Sequence, residues 1–227
     1  MTDFASIVKP LADRLDSGLS SVILYGSSAA GTAEEHAGEH DFLILVSTMT
    51  ASTASSIRDW VISLPKNIRI RYVVMTATEF LQSADVFPVE YSSIRNCYRI
   101  LHGNDFVAEI DLDPSNLRHQ IEYELRAKKQ RFISDLIDLG IKDKDLKRSL
   151  SCIANSWFVL GSAALVLDEP PADNGSDPLL KWLGLSETDR DFLHTVARGD
   201  FQPTEGMVDR LLNLFNRLIS KVDEIEK

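Results

Sequence analysis

Short apolar runs alternate with helical periodicities over roughly the first hundred residues of the chain. Four runs of strand length predict β-strands at 21–25, 42–46, 68–75 and 98–101. Between the runs, apolar residues three and four positions apart predict helices. One begins near Phe4 and carries Pro10 as a kink or a new start, one is capped by Thr48, and one is capped by Thr78.

Beyond residue 112 the pattern is helical only. It predicts a long amphipathic helix from Pro114 and a second helix around Trp157, which is apolar on nearly all sides and therefore expected at the centre of a bundle. Further helices are predicted at 179–183, 192–196 and 207–222, and an Asp- and Pro-rich stretch at 168–177 predicts a loop. We therefore predict an α+β chain, with a mixed-sheet domain at 1–112 followed by an all-helical bundle at 113–227.

The composition is that of an ordinary globular protein, with 44% apolar and 26% charged residues. Cys97 and Cys152 have no metal-ligand or redox spacing, which indicates reduced, buried thiols in the cytoplasm. No run of eighteen consecutive apolar residues predicts a membrane span, and the first nine residues lack the apolar core of a secretion signal. We therefore expect a cytoplasmic protein without a membrane segment.

The formal net charge of −10 argues against general nucleic-acid binding, because contacts to phosphates need clustered cations. The charge is uneven, and residues 118–148 carry nine bases against six acids. That segment is either an anion-facing surface or the solvated face of a helix.

The segment richest in chemistry is Tyr25-Gly-Ser-Ser-Ala-Ala-Gly-Thr32, followed by the strand that opens Glu39-His-Asp41. A strand that ends in Gly-Ser places small residues where the chain turns into a helix, so backbone N–H groups can approach a phosphate. A carboxylate that opens the next strand would lie across from this bend, where a divalent cation would bridge it to the phosphates.

This arrangement resembles the polymerase-β-like nucleotidyltransferase superfamily, which includes the kanamycin nucleotidyltransferases. The residues that match the family pattern are Gly26, Ser27, Gly31 and Asp41. The resemblance implies a nucleoside triphosphate held by Gly26, Ser27, Ser28 and Gly31. It implies Mg²⁺ held by Asp41, with Glu39 as a second ligand in one alignment. It further implies transfer of a nucleoside monophosphate to a hydroxyl, with Glu90 as a candidate general base and the helical domain as the acceptor surface.

Two alignments with the family remain open. If Asp41 is the first acid of the pair, the second position is Leu43, which cannot bind a metal. If Glu39 is the first acid, Glu39 and Asp41 point to the same face of their strand. Asp41 is a candidate ligand in both.

The third acid of the family is missing from the strand predicted at 68–75, where Arg69 and Arg71 occupy the outward positions. Arginines there would repel a metal and attract phosphate, although a solvated strand face has the same pattern. The sequence thus supports two hypotheses. The first is an active nucleotidyltransferase. The second is a catalytically degenerate regulatory domain of the same fold that binds a nucleotide or a protein.

Several expectations concern partners and alternative sites. The acceptor would be a small molecule or a protein, and an exposed apolar face on the helical domain would indicate a homodimer. Glu90 has the alternative interpretation of a surface helix glutamate. His36 and His40 are a further candidate metal pair beside Asp41, although Gly38 interrupts any helix that would align them.

Overall fold

A computed structural model describes residues 3–30, 39–141, 143–168 and 178–225 of the chain. The protein is α+β, with one four-stranded mixed sheet and a larger number of helices. It divides into two compact units, Met1–Leu112 and Asp113–Lys227. Every described strand belongs to the first of these, here called the sheet unit, and the second is called the helical unit.

The sheet contains the four predicted strands. They are β1 (Leu19–Tyr25), β2 (Glu39–Val46), β3 (Arg69–Thr76) and β4 (Tyr98–Gly103). Their order is β3-β2-β1-β4. Strand β1 pairs antiparallel with both β2 and β4, whereas β2 and β3 are parallel. The second predicted strand begins three residues earlier than its apolar run, so that Glu39 and Asp41 both lie within it.

The helices of the sheet unit correct three local predictions. They are α1 (Phe4–Leu15), α2 (Ser27–Ala30), α3 (Ala51–Ser63), α4 (Ala77–Gln82) and α5 (Pro88–Asn96). Helix α1 continues through Pro10, so the new start predicted there is wrong. The cap of α3 is Thr50 and not Thr48, because the Thr50 side chain accepts the backbone N–H of Thr53.

The cap of α4 is likewise two residues from its predicted position. Thr76 and Glu79 form a reciprocal capping box in which each side chain bonds the backbone of the other, and Thr78 lies inside the helix. The Thr-x-x-Glu spacing of a capping box was present in the sequence and decides the start of this helix.

Alternation along the strands gives the sheet two buried faces. Phe42, Ile44 and Val46 face α1 and α3, where the indole N–H of Trp60 donates to the Ile7 carbonyl at 2.9 Å. Leu43 and Leu45 belong to the opposite cluster, which includes the aromatic rings of α4 and α5. Because residues two apart share a face, Asp41 lies in line with Leu43 and Leu45, at the end of this second core.

The helical unit is built around one apolar helix, as the sequence predicts. Its helices are α6 (Pro114–Leu139), α7 (Lys144–Asp168), α8 (Pro178–Leu183), α9 (Glu187–Arg198) and α10 (Glu205–Glu224). Helix α7 contacts all four others, and its Trp157 indole donates to the Leu214 carbonyl of α10 at 3.1 Å. The predicted loop at 168–177 falls, from residue 169 on, outside the described residues.

Helix α7 also has the length and composition of a membrane-spanning helix. Its most apolar stretch has a mean hydropathy of 1.8, the one such stretch among the helices described. Half of that stretch is buried inside the protein. Together with its contacts to the four neighbouring helices, this burial is what a core helix of a globular unit shows.

Candidate functional site

The Gly-Ser bend follows β1 directly. Gly26 has φ +71°, a left-handed conformation that glycine adopts without steric cost, and α2 begins at the next residue. The Gly26 N–H donates to the Cys97 carbonyl at 2.9 Å, and the Gly26 carbonyl accepts from the Ala29 N–H at 2.9 Å. A Cβ placed on Gly26 would lie 3.6 Å from Asp41 Oδ2. The bend and the aspartate are therefore immediate neighbours.

The carboxylate of Asp41 is held by an arginine. Arg71 Nε donates to Asp41 Oδ1 at 2.7 Å, and Arg71 Nη2 donates to Oδ2 at 3.0 Å. The pairing follows from the parallel register of β2 and β3, which places Asp41 opposite Arg71. The Asp41 side chain is 22% exposed and that of Arg71 is 66% exposed. The sequence predicts that Arg71 points outward from its strand. In the structure Arg71 also donates hydrogen bonds to both oxygens of the Asp41 carboxylate.

The same register places Glu39 opposite Arg69, which is exposed at the start of β3. The backbone of Glu39 opens β2, but its side chain lies outside the described part of the structure, as do Gly31 and His36. Leu43, the second position of the alternative alignment, is 1% exposed and packed in the core. Both alignments with the family therefore remain open.

Ser28 and His40 form a contact that the sequence does not indicate. Ser28 Oγ lies within hydrogen-bond distance of His40 Nδ1, at 2.8 Å. Phe4 packs edge-on against the His40 ring with 4.7 Å between centroids. Burial lowers the pKa of His40, and the negative charge of Asp41 partly opposes that change. The Ser28 hydroxyl is thus already engaged. Ser27 begins α2, and its side chain is not among those described.

Tyr25 is a site residue that sequence reasoning missed. It is the last residue of β1 and pairs across the strands with both Asp41 and Tyr98. Burial raises the pKa of Tyr25, the charge of Asp41 raises it further, and Arg71 opposes both. Only its position in the sequence could have indicated this role, because a residue directly before the Gly-Ser bend lies beside the group that the bend faces.

Glu90 lies in the first turn of α5, on an exposed helix surface. The segment 88–96 that contains it is helical, and β4 begins two residues later, at Tyr98. The geometry of Glu90 is that of a helix N-terminal acid, which interacts favourably with the positive end of the helix dipole.

The described side chains do not fit a Mg²⁺ site. Among the residues the structure describes, no three His, Cys, Asp or Glu side chains come together as metal ligands would. The one described carboxylate at the bend, Asp41, has a guanidinium on both of its oxygens. Magnesium needs near-octahedral oxygen ligation, with carboxylates available to it.

Comparison with known proteins does not identify the chain. No protein-family model matches it, and no curated protein matches it. The resemblance to nucleotidyltransferases therefore depends on the motif in residues 21–46 of the sequence.

Proposed function

We propose that this protein is a catalytically degenerate nucleotidyltransferase-like protein, in which the sheet unit binds a nucleotide by its phosphates and the helical bundle follows it. The observation that carries the proposal is the two-point ion pair between Arg71 and Asp41. In an active member of the family, an acid from the β3 position would face that aspartate and share a metal with it. Here an arginine takes that place.

Electrostatics explains why this arrangement opposes metal-dependent transfer. Two unit charges about 4 Å apart near a protein surface interact by roughly 4 kcal/mol, and a divalent ion doubles the repulsion from a guanidinium. Solvent around the 66% exposed Arg71 side chain reduces that figure. A cation at Asp41 must nevertheless displace two hydrogen bonds or remain beside the arginine. Both alternatives weaken the binding of a metal ion at a site with one described carboxylate.

Two further groups expected at the phosphates are also engaged internally. The Gly26 N–H donates to Cys97, and the Ser28 hydroxyl bonds His40. Both groups would need to exchange partners before contacting a ligand. The bend is thus better suited to shape the edge of a binding surface than to hold a triphosphate tightly by itself.

The arginines of β3 supply the attraction for phosphate. Arg69 and Arg71 are exposed on a strand at the edge of the sheet, two residues apart and therefore on one face. Guanidinium groups bind phosphate oxygens in a two-point geometry. Exposed ion pairs contribute only about 0–1 kcal/mol, so a phosphate can draw Arg71 away from Asp41 at little cost.

An active nucleotidyltransferase is the second candidate. The adjacency of Gly26 and Asp41 favours it, because one triphosphate can contact both. In that case Arg71 would leave Asp41 when the substrate binds.

A nucleotide titration separates the two candidates. ATP and GTP are added to the protein with and without Mg²⁺, and pyrophosphate release is followed in parallel. The proposal expects binding without Mg²⁺ and no pyrophosphate. Pyrophosphate that appears with Mg²⁺ would establish the second candidate, and a folded sample that binds neither nucleotide would contradict both.

Matched arginine variants show which side chain is responsible. Arg71→Ala should weaken metal-independent binding, whereas Arg58→Ala should leave it unchanged, because Arg58 is a similarly exposed arginine on α3. Equal losses in the two variants would indicate a general charge effect and would contradict a site on β3.

A further inference from the structure

A cleft of about 520 Å³ lies between α6 and α7, entirely within the helical unit. Lys128 and Arg131 line it from α6, and Arg148, Cys152 and Ser156 line it from α7. The three α7 residues are spaced four apart and therefore follow one face of the helix. The charged residues that line this α6–α7 cleft belong to the basic segment 118–148 of the sequence.

Both acidic residues that line the cleft have a stabilising interaction, and so does its lysine. The Asp135 carboxylate accepts a hydrogen bond from the Ser149 hydroxyl, which joins the two helices. Asp145 lies in the first turn of α7, where the helix dipole stabilises a negative charge. Lys128 has an ion pair with Glu124, at 3.2 Å.

The two arginines of the cleft differ from Lys128 in this respect. Arg131 and Arg148 are both exposed, and neither forms an ion pair with any acid within the residues described. They lie on facing helices and line a single opening. In a chain with a net charge of −10, two such arginines beside one cleft make a local anion-attracting surface.

The remaining lining gives the cleft an apolar side. Ile153 is 6% exposed, and Leu139 adds a partly exposed aliphatic surface. A volume near 500 Å³ lies in the range of small-molecule sites, which combine apolar walls with a few placed polar groups. The cleft therefore suits a ligand with one strongly anionic end and one less polar end.

We propose that the α6–α7 cleft binds a phosphate-bearing small molecule, with Arg131 and Arg148 on the phosphates and Ile153 and Leu139 against the rest of the ligand. A phosphate presents more charge and more oxygens than a single carboxylate, which suits two guanidinium groups on opposite walls. The residues of this site belong to the helical unit, and the proposal does not depend on the function proposed for Arg69 and Arg71 of the sheet unit.

Cys152 provides a local reporter for this cleft. The chain has two cysteines, so Cys97→Ser leaves Cys152 as the single thiol. Cys152 is exposed, so the burial predicted for it from the sequence is wrong. Its alkylation by iodoacetamide, a small uncharged reagent, is followed with increasing pyrophosphate or ADP. Both should slow the reaction, and ADP should act at lower concentration than pyrophosphate because it also covers the apolar wall.

Variants then assign the protection to the arginines. Arg131→Gln/Arg148→Gln should raise the half-protecting concentration of pyrophosphate about a hundredfold, at roughly tenfold for each charged contact. Lys181→Gln/Arg198→Gln removes the same charge from exposed positions outside the cleft and should change it less than threefold by the same reasoning. Arg69→Gln/Arg71→Gln should leave protection unchanged.

Three results would overturn the proposal. They are absence of protection by either ligand, equal loss in the two charge-matched double variants, and protection by succinate at the same concentration as pyrophosphate. Because Arg131 and Arg148 are exposed, the double variant should fold, and its circular dichroism and melting temperature verify this.

Discussion

Each of the two units contains an aspartate–arginine ion pair that is joined by two hydrogen bonds. Asp189 of α9 accepts two hydrogen bonds from Arg210 of α10, at 2.7 and 3.3 Å. Asp41 of β2 accepts two from Arg71 of β3, at 2.7 and 3.0 Å. The distances are nearly the same, so the difference lies in what else each side chain does.

The pair in the helical unit is part of a larger structural network. Asp189 also completes the capping box of α9 by accepting from the N–H and hydroxyl of the cap residue Ser186. Arg210 donates to the Thr188 carbonyl and lies over the ring of Phe192. The hydrogen bond from Arg210 is the largest cause that lowers the pKa of Asp189 from 3.8 to about 2. Removing this carboxylate disturbs a helix start and a helix–helix contact at once.

The pair in the sheet unit lies between neighbouring strands. It joins two adjacent strands that the backbone ladder already holds, and Asp41 caps no helix. Arg71 is 66% exposed, compared with 40% for Arg210. The comparison teaches that similar contacts can have different settings: the Asp189 pair ties a helix start to a second helix, whereas the Asp41 pair lies between two strands beside the Gly26 bend.

The largest effect is expected from removal of both β3 arginines. Arg69→Gln/Arg71→Gln should weaken metal-independent ATP binding about a hundredfold, because each charged contact to phosphate is worth roughly tenfold. Titration calorimetry measures the change, with wild-type protein and Arg58→Gln as references. Unchanged affinity would show that the sheet edge does not bind nucleotide and would remove the contrast between the two pairs.

The next largest effect is on stability, at the other pair. Asp189→Asn should lower the free energy of unfolding of the helical unit by about 1–2 kcal/mol at neutral pH, or roughly 4–8 °C in melting temperature. The folded pKa lies below the unfolded one, so this stabilisation is present above about pH 4 and is lost as the pH falls through about 2.

Thermal melts of wild type and Asp189→Asn at several pH values measure this difference. The difference in melting temperature between wild type and Asp189→Asn should shrink steadily below pH 4, because Asp189 loses its charge there. Asp191→Asn, at a more exposed acid on the same helix, is the control and should change little. A pH-independent difference would mean that Asp189 acts through packing and not through charge.

A smaller effect on stability is expected for Asp41→Ala. The exposed pair contributes at most about 1 kcal/mol, so the melting temperature should change by no more than a few degrees. The variant removes the Asp41 carboxylate from beside Arg71, and ATP binding without metal should therefore tighten by up to about fivefold. A large loss of melting temperature would instead place Asp41 among the structural residues, alongside Asp189.

The smallest effect is expected for Glu90→Gln. A glutamate in the first turn of α5 contributes about 1 kcal/mol or less through the helix dipole, and the proposed binding function needs no general base. Nucleotide affinity should match that of the wild type, and the melting temperature should fall by no more than a few degrees. If the protein releases pyrophosphate and Glu90→Gln abolishes that release, Glu90 is the base of an active enzyme.

Periodicity was sufficient for most of the fold. The apolar runs at 21–25 and 42–46 became β1 and β2, and the apolar helix around Trp157 became the centre of the helical unit. The caps at Thr48 and Thr78 were wrong by two residues because the choice among neighbouring threonines depends on side-chain to backbone bonds. Only the Thr76-x-x-Glu79 spacing could have decided one of them.

The site was predicted in its parts but not in its contacts. Gly26, Asp41 and Arg71 were all named from the sequence, but the ion pair depends on the parallel alignment of β2 with β3, which no local pattern encodes. The Ser28–His40 contact joins residues twelve positions apart in the chain, and neither strand nor helix periodicity relates them.

The strand order also determines which charge an approaching ion meets. Strand β3 lies at the border of the sheet, with Arg69 and Arg71 on it, and Asp41 stands one strand further in. A positively charged solute that reaches this border encounters arginines before it can reach the aspartate, while a negatively charged one is attracted at first contact. The order of two neighbouring strands thus determines that the arginines lie at the border of the sheet and the aspartate lies one strand inside it.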